Sequence, residues 1–410
     1  MTTVEQKVER VARESYGRLV AYLAAQSGDV IEAEEALSDA FAAALESWPT
    51  RGAPDNPEGW LLAVARRKRI DEIRRQKTRT KVVDTLATEA QETNEDELSS
   101  HVFPEHRLNL MFVCAHPAID PGIRAPLILN TVLGLTAERM ASAFLVKPSA
   151  MSQRLVRGKR KIRDAVIGFL IPKPEDFPGR LEAVLESIYA AYGVAWENVV
   201  GQDAFAHSLA DEAIWLARIL VEQMPNEPEP RGLLALMLYC ESRKKARRGI
   251  NGSFIPLYNQ DTSLWSRPLI DEAENELEAA SKFEKHGRFQ LEASIQSAHT
   301  ARIHTGLVDW ETIATLYEGL VQIAPTIGAF VSRASTLAKA RSPDFALKEL
   351  DKLPQNRVAN YQPYWALRFH LLNDLNRHEE AEKDRRHAIG LTEDPSVRAF
   401  LLSSIQHNRK

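Results

Sequence analysis

The sequence contains few of the residues that stabilise small secreted proteins or bind metals. Its 410 residues include two cysteines, Cys114 and Cys240, which lie far apart in the chain. Two distant cysteines exclude a disulfide framework and fit a reducing compartment. Cys114 and His116 form one C-x-H pair, but a structural zinc site needs a second pair of ligands at suitable spacing. We therefore expect neither a metal nor another cofactor.

Long apolar runs are also missing. No stretch approaches the ~18 apolar residues that cross a bilayer, and the N-terminal MTTVEQKVER has no basic region followed by an apolar core. We therefore expect a cytoplasmic protein without a membrane partner. With 44% hydrophobic and 26% charged residues the composition is that of a globular protein, and the length suits two to four domains.

Strand signals are scarce, and the 3.6-residue periodicity of helices dominates, so we expect an all-α fold. Asp29 and Glu32 form a capping-box pattern, which predicts a helix that runs to about Ser47. The segment WPTRGAPDNPEGW interrupts this pattern, and a new helix is expected to begin near Pro57 or Glu58.

The charges are segregated along the chain although the net charge is only −4. Residues 64–81 hold nine Lys or Arg, residues 84–105 hold seven Asp or Glu and no Lys or Arg, and residues 147–163 are basic again. Two basic blocks around an acidic segment indicate two DNA-facing surfaces joined by a polar linker. The alternative is ordinary helix surface, on which mixed signs would be usual.

The second basic block, KPSAMSQRLVRGKRKIR, carries seven Lys or Arg and no acidic residue. Met151, Leu155 and Ile162 fall on one face of a helix at 100° per residue. A short helix with Thr136 as its N-cap is predicted just before it, so the two helices are a candidate helix-turn-helix. A solvated surface helix is the simpler alternative.

In such a motif the second helix enters the major groove of DNA. Ser152 and Gln153 are the candidates for base contact because both donate and accept hydrogen bonds. Arg154, Arg157 and Lys159 would hold phosphates, which gives affinity and salt dependence but not sequence choice.

The helix over 58–77 also has a cationic face that suits a phosphate backbone. The loop before it, with Asp55, Asn56 and Trp60 close together, suits an extruded base, which proteins read by hydrogen bonds and stacking. Burial of Trp48 and Trp60 in the core is the competing interpretation.

Two long motifs resemble extracytoplasmic-function (ECF) sigma factors. AEEALSDAFAAALESWP…DNPEGWLLAVARRKRIDEIRR is similar to their domain 2, and LTAERMASAFLVKPSAMSQRLVRGKRKIRDA is similar to their domain 4. The resemblance covers residues 10–170. It implies a helical sigma domain 2 at 1–80, a flexible acidic linker at 81–105 and a helix-turn-helix sigma domain 4 at 106–171.

The resemblance also implies two partners: core RNA polymerase, through the clamp helices of its largest subunit and its flap, and promoter DNA. The residues implied for core binding are Glu34, Glu35, Leu37, Asp39, Ala40 and Phe41. Those implied for the −10 element are Asp55, Asn56, Trp60, Arg66, Arg67, Lys68, Arg74 and Arg75. Those implied for the −35 element are Ser149, Ser152, Gln153, Arg154, Arg157 and Lys159.

Residues 172–410 show helical periodicity throughout. Ala346 and Ala381 lie 35 residues apart in similar contexts, close to the ~34-residue period of tetratricopeptide repeats, and predict helical hairpins over 330–395. EAIWLARIL, GLLALMLY, QDTSLW and LEASIQSAH are typical of ECF sigma factors with a long C-terminal extension. This resemblance implies a tetratricopeptide-like regulatory domain.

Five residues of this C-terminal part are candidates for a pocket: Asp261, Trp265, His299, Asp309 and Trp310. No Gly-rich phosphate loop, nucleophile elbow or metal-spaced cluster accompanies them, so we do not expect an enzyme. Polar residues that join helical hairpins are the favoured explanation. A concave repeat surface for a regulatory protein or ligand also fits.

The leading hypothesis is a sigma factor that directs promoter-specific initiation and is regulated by its own C-terminal domain. The second is a helix-turn-helix regulator with a repeat sensor domain that does not join core polymerase. A third is a scaffolding protein whose basic helices are incidental. The block at 30–75 favours the first because a one-domain regulator would not need it.

Overall fold

A computed structural model describes residues 4–67, 103–144, 146–169, 179–197, 204–249, 251–392 and 394–403. These residues form α-helices with three short 3-10 helices, and their single isolated bridge pairs Arg248 with Phe254. The prediction of an all-α fold is confirmed.

The chain divides into two compact units, Met1–Ile219 and Leu220–Lys410. The helices up to this division are α1 Val4–Ser27, α2 Val30–Arg51, α3 over 57–67, α4 Phe103–Cys114, α5 Pro121–Thr131, α6 Ala137–Ala143, α7 Pro148–Asp164, α8 Arg180–Glu197 and α9 Ala204–Gln223, within which the division falls.

The start of α2 agrees with the sequence pattern in part. The Asp29 carboxylate accepts hydrogen bonds from the backbone N–H groups of Ile31 at 2.8 Å and Glu32 at 3.4 Å, as an N-cap does. The reciprocal half of the capping box is different, because the backbone N–H of Asp29 donates to Oγ of Ser27. The helix also continues past the predicted end near Ser47, through Pro49, and ends at Gly52, whose φ is 80°.

Helix α1 packs against α2 and also against α4 and α5. Gly17 permits the last contact, because a Cβ at this position would lie 1.8 Å from the carbonyl oxygen of Val132. The helices of the predicted sigma domain 2 and of the predicted sigma domain 4 therefore share one core.

The predicted boundary between residues 171 and 172 does not coincide with the division into units. Helix α8 packs against α5 and α4 and buries Val184 and Ile188 completely. The apolar face of α8 thus completes the core of the first unit. Helix α4 begins at Phe103, two residues before the predicted end of the linker, while residues 81–102 lie outside the described part of the chain.

The second unit is built from consecutive helices that pack on their neighbours. Its helices are α10 Pro228–Ser242, α11 Arg267–Ser281, α12 Arg288–Thr300, α13 Arg302–Thr305, α14 Trp310–Ile323, α15 Ile327–Ala340, α16 Pro343–Asp351, α17 Gln355–Val358, α18 Gln362–Asp374, α19 His378–Leu391 and α20 Pro395–Ser403. The 3-10 helices are Lys244–Ala246, Leu257–Asn259 and Thr262–Leu264.

Two hairpins of this unit, α15–α16 and α18–α19, repeat one arrangement. Ala346 and Ala381 are each buried and each stand three residues after the first residue of their helix. In the first hairpin Arg333 bridges Glu318 and Glu349; 35 residues later Arg368 bridges Asp351 and Asp384. The 35-residue spacing seen in the sequence thus corresponds to a repeated arrangement, in which one arginine forms ion pairs with carboxylates of two other helices.

Candidate nucleic-acid interface

Helix α7 follows α6 after a short connection and packs on both α6 and α5. The side-chain oxygen of Thr136 accepts a hydrogen bond from the backbone N–H of Arg139 at 3.4 Å, so the predicted cap is present. Pro148 is the first residue of α7, as expected from its fixed φ and missing N–H.

The apolar stripe of α7 lies in the core. Met151, Leu155 and Ile162 are at most 5% exposed. Gly158 belongs to the same stripe, and a Cβ there would lie 3.3 Å from a methyl group of Leu127 in α5. The glycine therefore allows close helix packing at a position where propensity alone would favour alanine.

The opposite face of α7 is exposed and cationic. Ser149, Ser152, Gln153, Arg154 and Arg157 all have exposed side chains. The hydroxyl of Ser152 donates a hydrogen bond to the carbonyl oxygen of Pro148 at 3.1 Å, so its oxygen remains able to accept from a donor. Five of the six residues predicted to meet the −35 element therefore lie on one accessible face.

Lys159 is the sixth residue, and its environment differs. Its ammonium nitrogen donates to both carboxylate oxygens of Glu34 in α2, at 2.6 and 2.7 Å. The two side chains are 13% and 18% exposed. Nearby, the guanidinium of Arg163 lies 4.0 Å from the carboxylate of Asp29. The predicted DNA-reading helix is thus joined to the predicted polymerase-docking helix.

The residues predicted to dock on polymerase are divided between surface and core. Glu35 and Asp39 are exposed, and Glu34 and Phe41 are half-buried. Leu37 and Ala40 are completely buried. These two side chains stabilise the first unit in this conformation, because they lie on the inward stripe of α2 at helical spacing.

The described residues predicted to meet the −10 element are mostly engaged within the fold. The Trp60 ring packs edge-on against buried Trp48 with centroids 5.5 Å apart. Asn56 accepts a hydrogen bond from the backbone N–H of Gly59 at 3.0 Å and so caps α3. Arg66 hydrogen-bonds to the hydroxyl of Tyr22 and lies over its ring.

Asp55 and Arg67 have exposed side chains at the start and end of the described part of this segment. Lys68, Arg74 and Arg75 lie outside the described residues. The basic face predicted for the helix over 58–77 therefore stays a prediction beyond Arg67.

The five residues proposed for a C-terminal pocket cap helices or pack against neighbouring side chains at separate positions in the fold. Asp261 and Asp309 are N-caps, accepting hydrogen bonds from backbone N–H groups of Ser263 at 2.9 Å and Thr312 at 3.0 Å. These hydrogen bonds lower the pKa of both carboxyl groups. The Trp265 ring is buried beneath the guanidinium of Arg302, 4.8 Å from the ring centroid.

The other two members of that set do meet. The rings of His299 and Trp310 lie 5.8 Å apart, edge to face. Burial, and secondarily the charges of Arg243 and Arg302, lower the pKa of His299 to about 4. The arrangement is that of polar residues that join helices, which is the explanation that the sequence favours.

A surface groove of about 610 Å³ lies along α18 and α19, and no pattern in the sequence predicts it. Its lining is mixed in charge: Trp365, Glu379, Glu382, Lys383, Asp384, Arg386 and His387. The Trp365 indole N–H donates to the carbonyl oxygens of Val358 and Ala359, both at 3.1 Å. Helical spacing of the charged residues places them on one face, but it does not show that Trp365 lies beside them.

Cys114 is buried, with its sulfur 3.3 Å from Oγ1 of Thr131, and burial raises the pKa of its thiol to about 12. His116 accepts a hydrogen bond from the backbone N–H of Ala118 through Nδ1. Among the described residues no group of three or more His, Cys, Asp and Glu could hold a metal ion. None of the helices in the described ranges is long and apolar enough to cross a membrane.

Comparison with known proteins adds two family matches. Residues 11–79, which include most of α1 and all of α2, match Sigma-70 region 2. Residues 180–281 match DUF6596, a family of unknown function. The matched segment begins at the first residue of α8 and ends at the last residue of α11. The N-terminal part of the chain thus contains a Sigma-70 region 2 domain.

Two curated relatives extend the comparison. The uncharacterized protein R00370 of Rhizobium meliloti is 35% identical over 379 residues, which are 92% of this chain and 89% of that protein. The chain belongs to the same family as this protein. The ECF RNA polymerase sigma factor SigE of Mycolicibacterium smegmatis is 26% identical over 161 residues, 39% of this chain and 59% of that protein. No solved structure matches the chain.

Proposed function

We propose that this protein is a sigma factor of the extracytoplasmic-function type that binds core RNA polymerase and directs promoter-specific initiation. In this proposal residues 1–80 form sigma domain 2 and residues 106–171 form sigma domain 4. Glu35, Asp39 and their neighbours on α2 meet the polymerase, and the exposed face of α7 meets the −35 element.

The match of residues 11–79 with Sigma-70 region 2 carries the proposal. The exposed face of α7 supports it, because cations that surround a serine and a glutamine suit phosphate contact and base readout. The similarity to an ECF sigma factor over 161 residues also supports the proposal.

We further propose that the C-terminal part regulates this activity. Its first helices support the idea, since α8 packs on α5 and α9 contacts α4 through Arg107. The guanidinium of Arg107 in α4, 6% exposed, pairs with Glu212 and lies 5.1 Å from the Trp215 ring. Because α7 itself packs on α4 and α5, helices that hold α4 and α5 in place are positioned to influence α7.

Binding to purified core polymerase tests the primary proposal. We expect a one-to-one complex with the full-length chain, weakened by Glu35→Lys or Asp39→Lys because the charge of the exposed face of α2 is reversed. Glu182→Lys, an exposed charge reversal on α8, is the matched control and should bind as the wild type does. A chain that binds promoter duplex alone but never core polymerase would instead be a helix-turn-helix regulator.

Transcription by a chain that ends after Gln223 tests the regulatory proposal. This chain keeps α8 and α9 and removes the helices of the second unit. If the second unit restrains the sigma domains, promoter-directed transcripts should increase several-fold over those of the full-length chain. Equal transcript levels from both chains would contradict a regulatory role for that unit.

A further inference from the structure

Glu34 and Lys159 meet where the helices α1, α2 and α7 come together. The Glu34 carboxylate accepts the two hydrogen bonds from Lys159 and one from the hydroxyl of Tyr16 in α1. The ion pair is largely shielded from water, with 13% of Lys159 and 18% of Glu34 exposed. A pair shielded in this way is screened less by salt than a surface pair is.

The ends of the two helices favour the same contact. Asp29, the N-cap of α2, faces the last turn of α7, where Arg163 lies 4.0 Å from its carboxylate. A negative side chain at a helix N-terminus and a positive one at a C-terminus each complement the helix dipole. Glu34 of α2 and the N-cap residue Asp29 therefore meet Lys159 and Arg163 of α7.

These residues also belong to the two binding surfaces of the proposed function. Glu34 is one of the residues that would meet core polymerase, and Lys159 is one of those that would meet a phosphate of the −35 element. While the two are paired, the carboxylate cannot accept from a polymerase cation and the ammonium cannot reach DNA. Arg154 and Arg157, by contrast, remain exposed on α7.

We propose that the Glu34–Lys159 pair is an autoinhibitory latch, in which the polymerase-docking helix and the DNA-reading helix hold each other's charged groups. The inference rests on the proposed sigma function. Core polymerase competes for Glu34 and thereby releases Lys159 for DNA, so each partner favours the binding of the other. Such coupling is reciprocal by thermodynamic necessity.

Affinity for core polymerase in the absence of DNA tests the latch, because Lys159 itself would then contact nothing outside the chain. Lys159→Met frees Glu34 and should tighten core binding roughly fivefold, a typical coupling between two sites. Lys161→Met is the matched control: it removes an exposed cation two residues away on the same helix. Lys159→Arg, which keeps the ion pair, should bind as the wild type does and shows that the site tolerates substitution.

Core binding by Lys159→Met that equals that of Lys161→Met, in chains of equal helical content, would overturn the latch and leave the sigma proposal intact. A wild-type chain that fails to bind core polymerase would overturn both. If Lys159→Met loses helical content, Lys159→Gln, which keeps a polar side chain but removes the charge, takes its place with Lys161→Gln as its control. Equal core binding by these two variants would contradict the proposal.

Discussion

At the scale of single residues, His299 lies where its charged form is disfavoured. The ring is largely buried beside Trp310, and two arginines raise the local positive potential. The native pKa is about 4, whereas the ordinary value is 6.5. Between these values the unfolded chain binds more protons than the native one, so the free energy of unfolding falls as the pH falls.

We therefore expect the second unit to lose up to about 3 kcal/mol of stability between pH 6.5 and pH 4 through this group, since one pKa unit corresponds to about 1.4 kcal/mol. His299→Gln should flatten that pH dependence, measured by urea unfolding across the range. His378→Gln, at an exposed histidine, is the control and should keep the wild-type slope. An unchanged slope in His299→Gln would show that His299 does not resist protonation in the native state.

Arg368 is a second residue whose environment determines its contribution to the free energy of unfolding. It donates to Asp351 at 2.9 Å and to Asp384 at 2.5 Å, and Asp384 is only 3% exposed. Removal of the guanidinium would leave a buried carboxylate without its partner, which typically costs about 3 kcal/mol.

Arg368→Met should accordingly lower the free energy of unfolding by about that amount, measured by denaturant titration. Arg377→Met breaks the exposed pair with Glu380 and is the matched control, expected to leave stability unchanged. Equal effects of the two variants would show that burial of Asp384 does not decide the outcome.

At the scale of helices, close approach in the first unit depends on glycine. Gly17 in α1 faces the carbonyl oxygen of Val132, and no other residue fits without a shift of the backbone. Gly193 in α8 is also helical but has no atom within 4 Å of the position of a Cβ. The same substitution therefore has opposite effects at the two positions.

Gly17→Ala should lower the free energy of unfolding by about 2 kcal/mol through overpacking. Gly193→Ala should raise it by about 0.5–1 kcal/mol because alanine loses less conformational entropy in a helix. Thermal unfolding of both variants shows whether Gly17→Ala is destabilised and Gly193→Ala is stabilised, as we expect. A stabilising Gly17→Ala would mean that α1 does not pack this closely on the end of α5.

Local patterns predicted the elements well and the contacts between them poorly. Asp29 and Pro148 mark the starts of α2 and α7, because capping and proline geometry act within a few residues. The stripe of Met151, Leu155 and Ile162 likewise follows from helical spacing. The pairing of Glu34 with Lys159, 125 residues apart, could not be predicted, because no periodicity relates the two positions.

The 35-residue repeat is an intermediate case. Ala346 and Ala381 show the spacing, but their sequence contexts do not mark Arg333 and Arg368, which share it, as equivalent. Their carboxylate partners come from helices on both sides, and only the packed structure identifies them. The role of each arginine therefore needed the three-dimensional arrangement.

At the scale of the whole molecule, the helices after residue 172 are divided between the two units. Because α8 buries its apolar face on α5, a chain that ends at residue 171 exposes that part of the core. We expect such a chain to unfold at a lower temperature than one that ends after Gln223, measured by circular dichroism. Equal melting temperatures would place the domain boundary at 171 and contradict the present division.

Run-off transcription is the decisive test of whether this protein is a sigma factor. Purified core RNA polymerase is combined with the full-length chain and a panel of genomic promoter fragments from the source organism. We expect discrete run-off transcripts from a subset of fragments, lost in Gln153→Ala/Arg157→Ala and retained in Lys383→Ala. Absence of chain-dependent transcripts from every fragment, although the chain binds core polymerase and duplex DNA, would contradict the sigma proposal.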